Sequence, residues 1–226
     1  MPGVPVINAE YGPTLLQLLA PRSLAVRLSV AALALVIVLG AALIALTSRA
    51  GETELLVRRP VTFNLVYGPQ WDRVERPGAL VALRNVGSDG KVEGLFLDSY
   101  TIRDLRLPAY RGAAGGMLPI YAISYLRDIR RRYSAFEPVA EGRARINNAI
   151  GYEITFRARL GARRLYGRHY LLVEEEPEGL RRGVVLELES TPAAGTPKAD
   201  EIGNHGALKT PLRSFRFGAD RKGGTA

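Results

Sequence analysis

The chain has 226 residues and a formal net charge of +9, with 47% hydrophobic and 23% charged residues. This balance is typical of a globular protein and excludes a disordered chain, a coiled coil and a collagen-like repeat. Because the chain contains no cysteine, disulfides, thiolate metal sites, a cysteine nucleophile and an acylated lipobox cysteine are excluded as well.

An uncharged apolar segment near the amino end predicts a membrane-spanning helix. Residues 28–48, with Leu28 and Ser48 as its ends, contain 17 Ala, Val, Ile or Leu residues and no charged residue. A helix of this length is about 30 Å long, which matches the hydrocarbon core of a bilayer. A buried core helix rarely stays uncharged on every face, and the apolar core of a cleaved signal peptide is shorter. We therefore expect an uncleaved, single-pass anchor.

The charges that flank this segment are nearly balanced. Arg22 and Arg27 precede it, and Arg49, Arg58 and Arg59 follow it. We expect a cytoplasmic amino tail and an extracytoplasmic folded domain, and a domain tethered to the inner leaflet is the alternative. The predicted organisation is a flexible tail at 1–23, the transmembrane helix at 24–48, a linker at 49–60, a folded domain at 61–218 and a disordered tail at 219–226.

Strand patterns dominate the predicted domain. Short apolar segments at 61–67, 79–85 and 92–97 indicate strands. The clearest alternation lies at 151–160, where apolar and polar residues take turns, and a turn at Gly161 leads into a strand at 163–174. A third strand at 184–188 completes an antiparallel meander of three strands.

Two helices are predicted around this meander. Apolar residues from Leu118 to Tyr133 recur at steps of three and four, and Pro119 suits the first turn of a helix. A second, weaker helix begins at Thr196-Pro197 and would bury Ile202, Leu208 and Leu212. A short strand at 214–217 ends the domain. An α+β fold, with helices packed over a central antiparallel sheet, is the natural arrangement of these elements.

Three segments resemble the PsbP-like superfamily, which includes the Mog-type Ran-binding proteins and mycobacterial-type exported lipoproteins. They are an early strand ending in Gly68-Pro69-Gln70-Trp71, the strand entry Asn148-Ala149-Ile150-Gly151-Tyr152-Glu153, and the closing Leu212-Arg213-Ser214-Phe215-Arg216-Phe217. The resemblance implies an α-β-α sandwich over about residues 61–218 and a binding or assembly role, and it supplies no catalytic residues. The chain departs from this pattern in lacking a lipobox and in having glycines within its second helix.

Residues with catalytic or metal-binding potential are few. His169 lies in a predicted strand, and the other histidine, His205, follows 36 positions later without the ligand spacing of known metal sites. No serine lies in a nucleophile elbow. We therefore expect no catalytic residue, no cofactor and no metal site. A hydrolase or lipid-acting enzyme that uses His169 remains the alternative.

The arginines form the only predicted interaction surface. A solvated basic face is the simpler interpretation of them. Docking of an acidic envelope protein is the functional hypothesis, and anionic lipid headgroups are possible ligands. Nucleic acid is not expected, because aromatic residues do not alternate with these arginines as stacking platforms. The candidate partner surface comprises Arg127, Arg130 and Arg131 on the first predicted helix, and Arg157, Arg159, Arg163, Arg164 and Arg168 on the meander.

Overall fold

The computed structural model describes residues 24–49, 51–85, 98–107, 114–174, 182–196 and 198–219. The chain divides into two compact units, Met1–Gly51 and Glu52–Ala226. The strand predicted at 92–97, the predicted amino tail and all of the predicted carboxyl tail except residue 219 lie outside the described residues.

The described part of the first unit forms a helix, α1 (Leu24–Arg49), of 26 residues. Its side chains are described from residue 28 to residue 40. Seven of the large apolar side chains among them, such as Leu33 and Val36, are 59% to 65% exposed. Among the described residues, no helix combines the length and the apolar character that crossing a membrane requires. The anchor predicted between Leu28 and Ser48 is not supported by this finding and stays a prediction.

The second unit is a sheet-rich α+β fold. Its strands are β1 (Thr53–Val57), β2 (Phe63–Tyr67), β3 (Asp72–Arg73), β4 (Ala79–Asn85), β5 (Asp98–Arg106), β6 (Ser134–Ile146), β7 (Ala149–Leu160), β8 (Arg163–Glu174), β9 (Arg182–Ser190) and β10 (Arg216–Phe217). Its helices are α2 (Ala114–Arg132) and the short α3 (Lys209–Ser214), with single 3₁₀ turns at Pro192–Ala194 and Ala199–Glu201.

These strands form two antiparallel sheets. The large sheet has seven strands in the order β3-β4-β5-β9-β8-β7-β6, and the small one has three in the order β1-β2-β10. Hairpins join β6 to β7 and β7 to β8, and β9 then pairs with both β8 and β5. β8 and β9 therefore lie in the middle of the large sheet, which explains why their side chains are buried on both faces.

One face of the large sheet packs against the small sheet. Its core is apolar and joins Phe63 and Leu65 of β2 to Ile102, Leu172 and Leu186. The closing segment, residues 198–219, covers the same core. Its buried side chains there are Ile202, Leu208, Leu212, Phe215 and Phe217.

The turn between β6 and β7 holds the closing segment in place. The Asn147 side chain donates hydrogen bonds to the carbonyl oxygens of Arg213 and Phe215, at 2.8 and 2.7 Å.

The opposite face packs against α2. Leu118, Ala122 and Ile129 of the helix lie on Phe156 and Leu171 of the sheet, all of them buried. Gly167 allows this packing, because a Cβ atom at that position would lie 2.1 Å from the ring of Phe156. The domain thus has three layers: one helix, the large sheet, and a small sheet with short helical segments.

Several sequence predictions need correction. The predicted linker at 49–60 contains β1, which pairs along its whole length with β2. The strand predicted at 79–85 and the meander strands are confirmed, but β6 was not predicted and adds a fourth strand to the meander. The second predicted helix is replaced by 3₁₀ turns and α3, because its glycines adopt positive φ angles, +79° at Gly203 and +67° at Gly206. The third layer of the predicted α-β-α sandwich is therefore mainly a sheet.

Candidate functional site

A buried polar cluster lies on the face of the large sheet that α2 covers. Glu187 and Glu189 follow each other on this face of β9, because side chains alternate along a strand, and each residue is only 1% exposed. The neighbouring strands add polar side chains at the same level. Thr101 and Ser99 of β5 lie opposite the two glutamates, and His169 of β8 lies opposite Glu187 on the other side.

Glu187 is held by two arginines from different elements. Its carboxylate accepts hydrogen bonds from Arg103 Nε of β5 at 2.9 Å and from Arg132 Nη1 of α2 at 2.8 Å. The Tyr125 hydroxyl donates a third at 3.2 Å. Burial alone would raise the pKa of Glu187, but the charge of His169 when that residue is protonated, together with the guanidinium groups of Arg132 and Arg103, lowers it to about 2. Glu187 is therefore ionised and joins α2 to the sheet.

Glu189 is held by neutral groups. It accepts hydrogen bonds from the Ser99 hydroxyl at 3.0 Å and from the Tyr133 hydroxyl. The nearest positive group is Arg76, whose Nη1 lies 4.0 Å from the carboxylate and donates instead to the Thr101 hydroxyl at 3.0 Å. The charge of Glu189 is thus compensated less directly than that of Glu187.

His169 is fully buried within this cluster. Its Nδ1 lies 3.0 Å from the Tyr125 hydroxyl. Because that hydroxyl gives its single proton to Glu187, Nδ1 carries the imidazole proton. Nε2 has no hydrogen-bond partner among the described residues and lies 4.0 Å from Glu189 Oε1. Burial lowers the pKa of His169, against the raising effect of the two glutamates. A neutral, 0% exposed imidazole cannot touch a substrate in this conformation.

The two histidines are not brought together. His205 bridges to Ile202 in the segment that covers the other face of the large sheet. In the described part of the chain, no group of three or more His, Asp or Glu residues could hold a metal ion. The buried cluster is a poor site for a cation, because three arginines already approach the carboxylates of Glu187 and Glu189.

A narrow cleft adjoins the cluster from outside. It has a volume of about 180 Å³ and is lined by Glu75, Arg76, Arg84, Ser99 and Thr101, among others. It therefore reaches the strand neighbours of the glutamates, and Arg76 lies between it and Glu189. The arrangement can orient charges rigidly beneath a cleft, and the side chains of Glu187, Glu189 and His169 are themselves closed off from solvent.

The predicted arginine surface is divided between the two sides of the domain. Arg127, Arg130 and Arg131 are exposed on α2. Beside them the helix also exposes Ile120 and Ile123, each at 63%. These five side chains, together called the helix patch, lie on the outer side of α2, away from the core.

The arginines of the meander face other directions. Arg157 and Arg159 lie on the opposite side of the sheet from α2, because Phe156 and Ala158 between and beside them face the helix, and Arg164 shares their side as the cross-strand partner of Arg159. Arg159 and Arg164 lie directly opposite each other across β7 and β8. These three side chains are called the strand patch. Arg163 lies opposite Leu160 and points to the side of the sheet that carries the helix.

Arg168 is a structural residue. Its side chain is 15% exposed, and its Nε and Nη2 donate to the Glu153 carboxylate at 2.9 and 3.1 Å. Its Nη1 donates to the carbonyl oxygens of Asp200 and Ile202 at 3.1 and 2.8 Å. Arg168 thus fixes the closing segment to the sheet, and no free charge remains for a partner.

The buried cluster was not predicted from the sequence. The segment Leu186-Glu187-Leu188-Glu189 alternates as a strand with one face in water would. One signal was available, because Ser99, Thr101 and Arg103 repeat the same polar spacing in another strand. Two strands with polar residues at matching spacing indicate a shared polar layer once they pair.

Comparisons with known proteins give structural neighbours only. No family model matches the chain, and no curated protein matches it significantly. The chain is similar to the cyanobacterial PsbP protein (CyanoP) of Synechocystis sp. PCC 6803, with 13% identity, a TM-score of 0.48, and coverage of 74% of this chain and 93% of that one.

Two further solved structures are similar to a comparable degree. LpqN of Mycobacterium tuberculosis, described as involved in cell envelope biogenesis, has 12% identity and a TM-score of 0.48, covering 74% of this chain and 91% of its own. The Ran-binding protein Mog1p of Saccharomyces cerevisiae has 11% identity and a TM-score of 0.43, covering 73% and 94%. Because these TM-scores lie below 0.5, the predicted resemblance to PsbP-like domains stays a prediction.

Proposed function

We propose that this chain is a membrane-tethered binding protein whose folded domain docks an acidic partner protein of the cell envelope and catalyses no reaction. The observation that carries the proposal is the helix patch, in which two exposed isoleucines adjoin three exposed arginines on one side of α2. Large apolar side chains that stay exposed beside a basic cluster are typical of a protein-binding surface.

The arginines alone have a simpler explanation. They lie near the carboxyl end of α2, where positive charges complement the helix dipole. That explanation does not account for Ile120 and Ile123, which lie at the amino half of the helix and touch no core. The inner side of α2 is already filled by Leu118, Ala122 and Ile129, all nearly inaccessible to solvent. A partner with apolar and acidic side chains would bury the isoleucines and pair with the arginines.

Catalysis by His169 is less well supported. Its imidazole, Glu187 and Glu189 are buried and directed at one another. Buried polar groups that face one another in a closed interior fix the positions of the elements that carry them. A general base, by contrast, must reach its substrate. A docking role requires only the surface of α2.

The tether and its orientation are proposed from the sequence. The uncharged, apolar sequence of residues 28–48 supports insertion in a membrane. The test uses Lys198→Cys, an exposed position in a chain without any other cysteine. Labelling by a membrane-impermeant maleimide in intact cells would place the domain outside the cytoplasm. Labelling only after lysis would instead favour a cytoplasmic adaptor at the inner leaflet.

Photo-crosslinking tests the docking surface itself. A benzoyl-phenylalanine replaces Ile123 in the full chain in cells, and the same replacement at Leu56, 38% exposed on β1, is the control. We expect one protein adduct from position 123 and none from position 56. A lipid adduct at position 123, or equal adducts at both positions, would overturn the proposal.

Charge reversal then separates the two arginine groups. We expect Arg127→Glu, Arg130→Glu and Arg131→Glu together to reduce the adduct at least tenfold, because three attractive charges become repulsive. The matched control reverses the strand patch with Arg157→Glu, Arg159→Glu and Arg164→Glu. A larger loss from this control would contradict the assignment of the partner to α2.

A further inference from the structure

We propose that two copies of this chain associate through β6, whose outer edge pairs antiparallel with the same strand of a second copy around a two-fold axis at Gly142. This inference does not depend on the helix patch. It rests on the position of β6 at the end of the large sheet, where it pairs only with β7 among the described strands.

The first part of this edge is blocked. The ladder between β6 and β7 shifts register between Ser134 and Glu137 and again between Pro138 and Ala140. Ala135 has a φ angle of +47°, and Pro138 lacks an N–H donor. Bulges and prolines of this kind are how natural sheets prevent edge pairing.

The second part of the edge is regular. From Ala140 to Ile146 the strand pairs with β7 without a shift and contains no proline. Seven extended residues are enough to add a strand to a sheet edge. Protection of only the first part leaves this stretch able to pair.

The side chains of this stretch are complementary to their own reversed order. Pairing about Gly142 places Glu141 of each copy opposite Arg143 of the other, so the two-fold axis produces this ion pair twice. Ala140 then lies opposite Ala144 on the other side of the sheet, where both side chains are small. Charges that usually keep a sheet edge unpaired here favour one specific partner.

An adjacent register is disfavoured. Pairing about Arg143 would place Glu141 opposite Arg145, but it would also place Arg143 opposite its own copy, and like charges directly opposite each other destabilise a strand pair. At the preferred axis, by contrast, Gly142 meets Gly142, and apart from the flanking residues no atom of the described chain lies within 4 Å of a Cβ built there. The backbones can therefore approach each other, and a cysteine fits at the axis.

A single introduced cysteine tests the geometry. Because the full chain lacks cysteine, Gly142→Cys can form a disulfide only between two copies or with another protein. Under mild oxidation of membranes from expressing cells, we expect a homodimer to form at least tenfold faster than from the exposed control Lys198→Cys. Equal rates, or a disulfide to a different protein, would overturn the proposal.

Charge exchange tests the register. Added to Gly142→Cys, either Glu141→Arg or Arg143→Glu places like charges opposite each other and should slow cross-linking about tenfold. The double exchange Glu141→Arg with Arg143→Glu restores both ion pairs and should restore the rate. Failure of the double variant to recover, with its circular dichroism spectrum unchanged, would exclude this pairing. The helix patch is intact in all these variants, so this result is independent of the docking proposal.

Discussion

The two faces of the large sheet are buried by different chemistry, although the same strands supply both. On the face covered by the small sheet, β9 contributes Leu186 and Leu188 to a continuous apolar core. On the face covered by α2, the alternate positions of the same strand are Glu187 and Glu189. Leucine and glutamate therefore alternate along β9, so that the leucine side chains face the small sheet and the carboxylates face α2.

This difference separates stability from orientation. Burial of apolar area stabilises the first face in proportion to the area removed from water. On the second face, desolvation of the carboxylates offsets most of what their ion pairs contribute, so the cluster adds little net stability while it is complete. Removal of one member of the cluster would leave its partners buried without a counter-charge or hydrogen bond, which destabilises the domain. This dependence holds α2 in one position over the sheet.

The largest expected effect is a cavity on the apolar face. Phe63→Ala should lower the free energy of unfolding by about 3–5 kcal/mol, because Phe63 is 0% exposed and its ring packs 5.7 Å from that of Phe215. Urea unfolding of the full chain, followed by the fluorescence of its one tryptophan, measures the loss. Leu56→Ala on the neighbouring strand β1, 38% exposed, is the control and should cost about 1 kcal/mol or less.

A smaller loss is expected on the polar face, and it should differ between the two glutamates. Glu187→Gln leaves the two partly buried guanidinium groups of Arg103 and Arg132 without a counter-charge and should cost about 2–3 kcal/mol. Glu189→Gln removes hydrogen bonds from neutral hydroxyls and should cost about 1–2 kcal/mol. Equal losses in the same urea titration would show that Arg76 compensates Glu189 as fully as the two arginines compensate Glu187.

The apolar packing on both faces of the large sheet was predictable. Alternation at 151–160 and the three- and four-residue steps from Leu118 to Tyr133 indicated β7 and α2, because each buries one apolar side. The burial predicted for Ile202, Leu208 and Leu212 is also confirmed, at 5% exposure or less. This burial did not require the predicted helix, since 3₁₀ turns and loops present the same residues to the core.

The buried polar cluster and the edge strand β6 were not predictable from apolar periodicity. β6 carries Glu137, Pro138, Glu141, Gly142 and Arg143, which have no apolar periodicity because the strand lies at the edge of the sheet. Glu187 was indistinguishable from a solvent-facing residue, since its burial depends on a helix that lies more than 50 positions earlier in the chain. The hydropathy pattern of one strand predicts which of its sides is buried against an apolar core. The burial of a charged residue depends instead on which other elements pack against that strand.

Acidification should weaken the polar face in two stages. Burial lowers the pKa of His169 below its ordinary 6.5, and the pKa of Glu187 is lowered to about 2. In both cases the unfolded chain binds the proton more readily. Stability is therefore fully present above pH 6.5, declines as His169 of the unfolded chain becomes protonated, and declines further below about pH 4.5 because of Glu187.

His169→Gln isolates the first stage. One proton corresponds to a slope of at most about 1.4 kcal/mol per pH unit. We expect the variant to lose this slope between pH 7 and pH 5, and to keep the fall below pH 4.5 that Glu187 causes. Urea titrations at intervals of half a pH unit measure both stages. An unchanged slope in the variant would assign the first stage to another group.

The smallest expected effect is a gain in stability from a substitution at the end of the large sheet, outside both apolar cores. Arg159 and Arg164 of the strand patch are a like-charge pair directly across β7 and β8. Arg159→Glu converts this repulsion into attraction and should stabilise the domain by about 0.3–1 kcal/mol, with the gain reduced by added salt. Arg163→Glu is the matched control, because Arg163 lies opposite Leu160, and it should change stability by less than about 0.5 kcal/mol. If Arg159→Glu gave no gain at low salt, the two guanidinium groups would already be compensated from elsewhere, and the strand patch would present less free charge to a partner than the helix patch does.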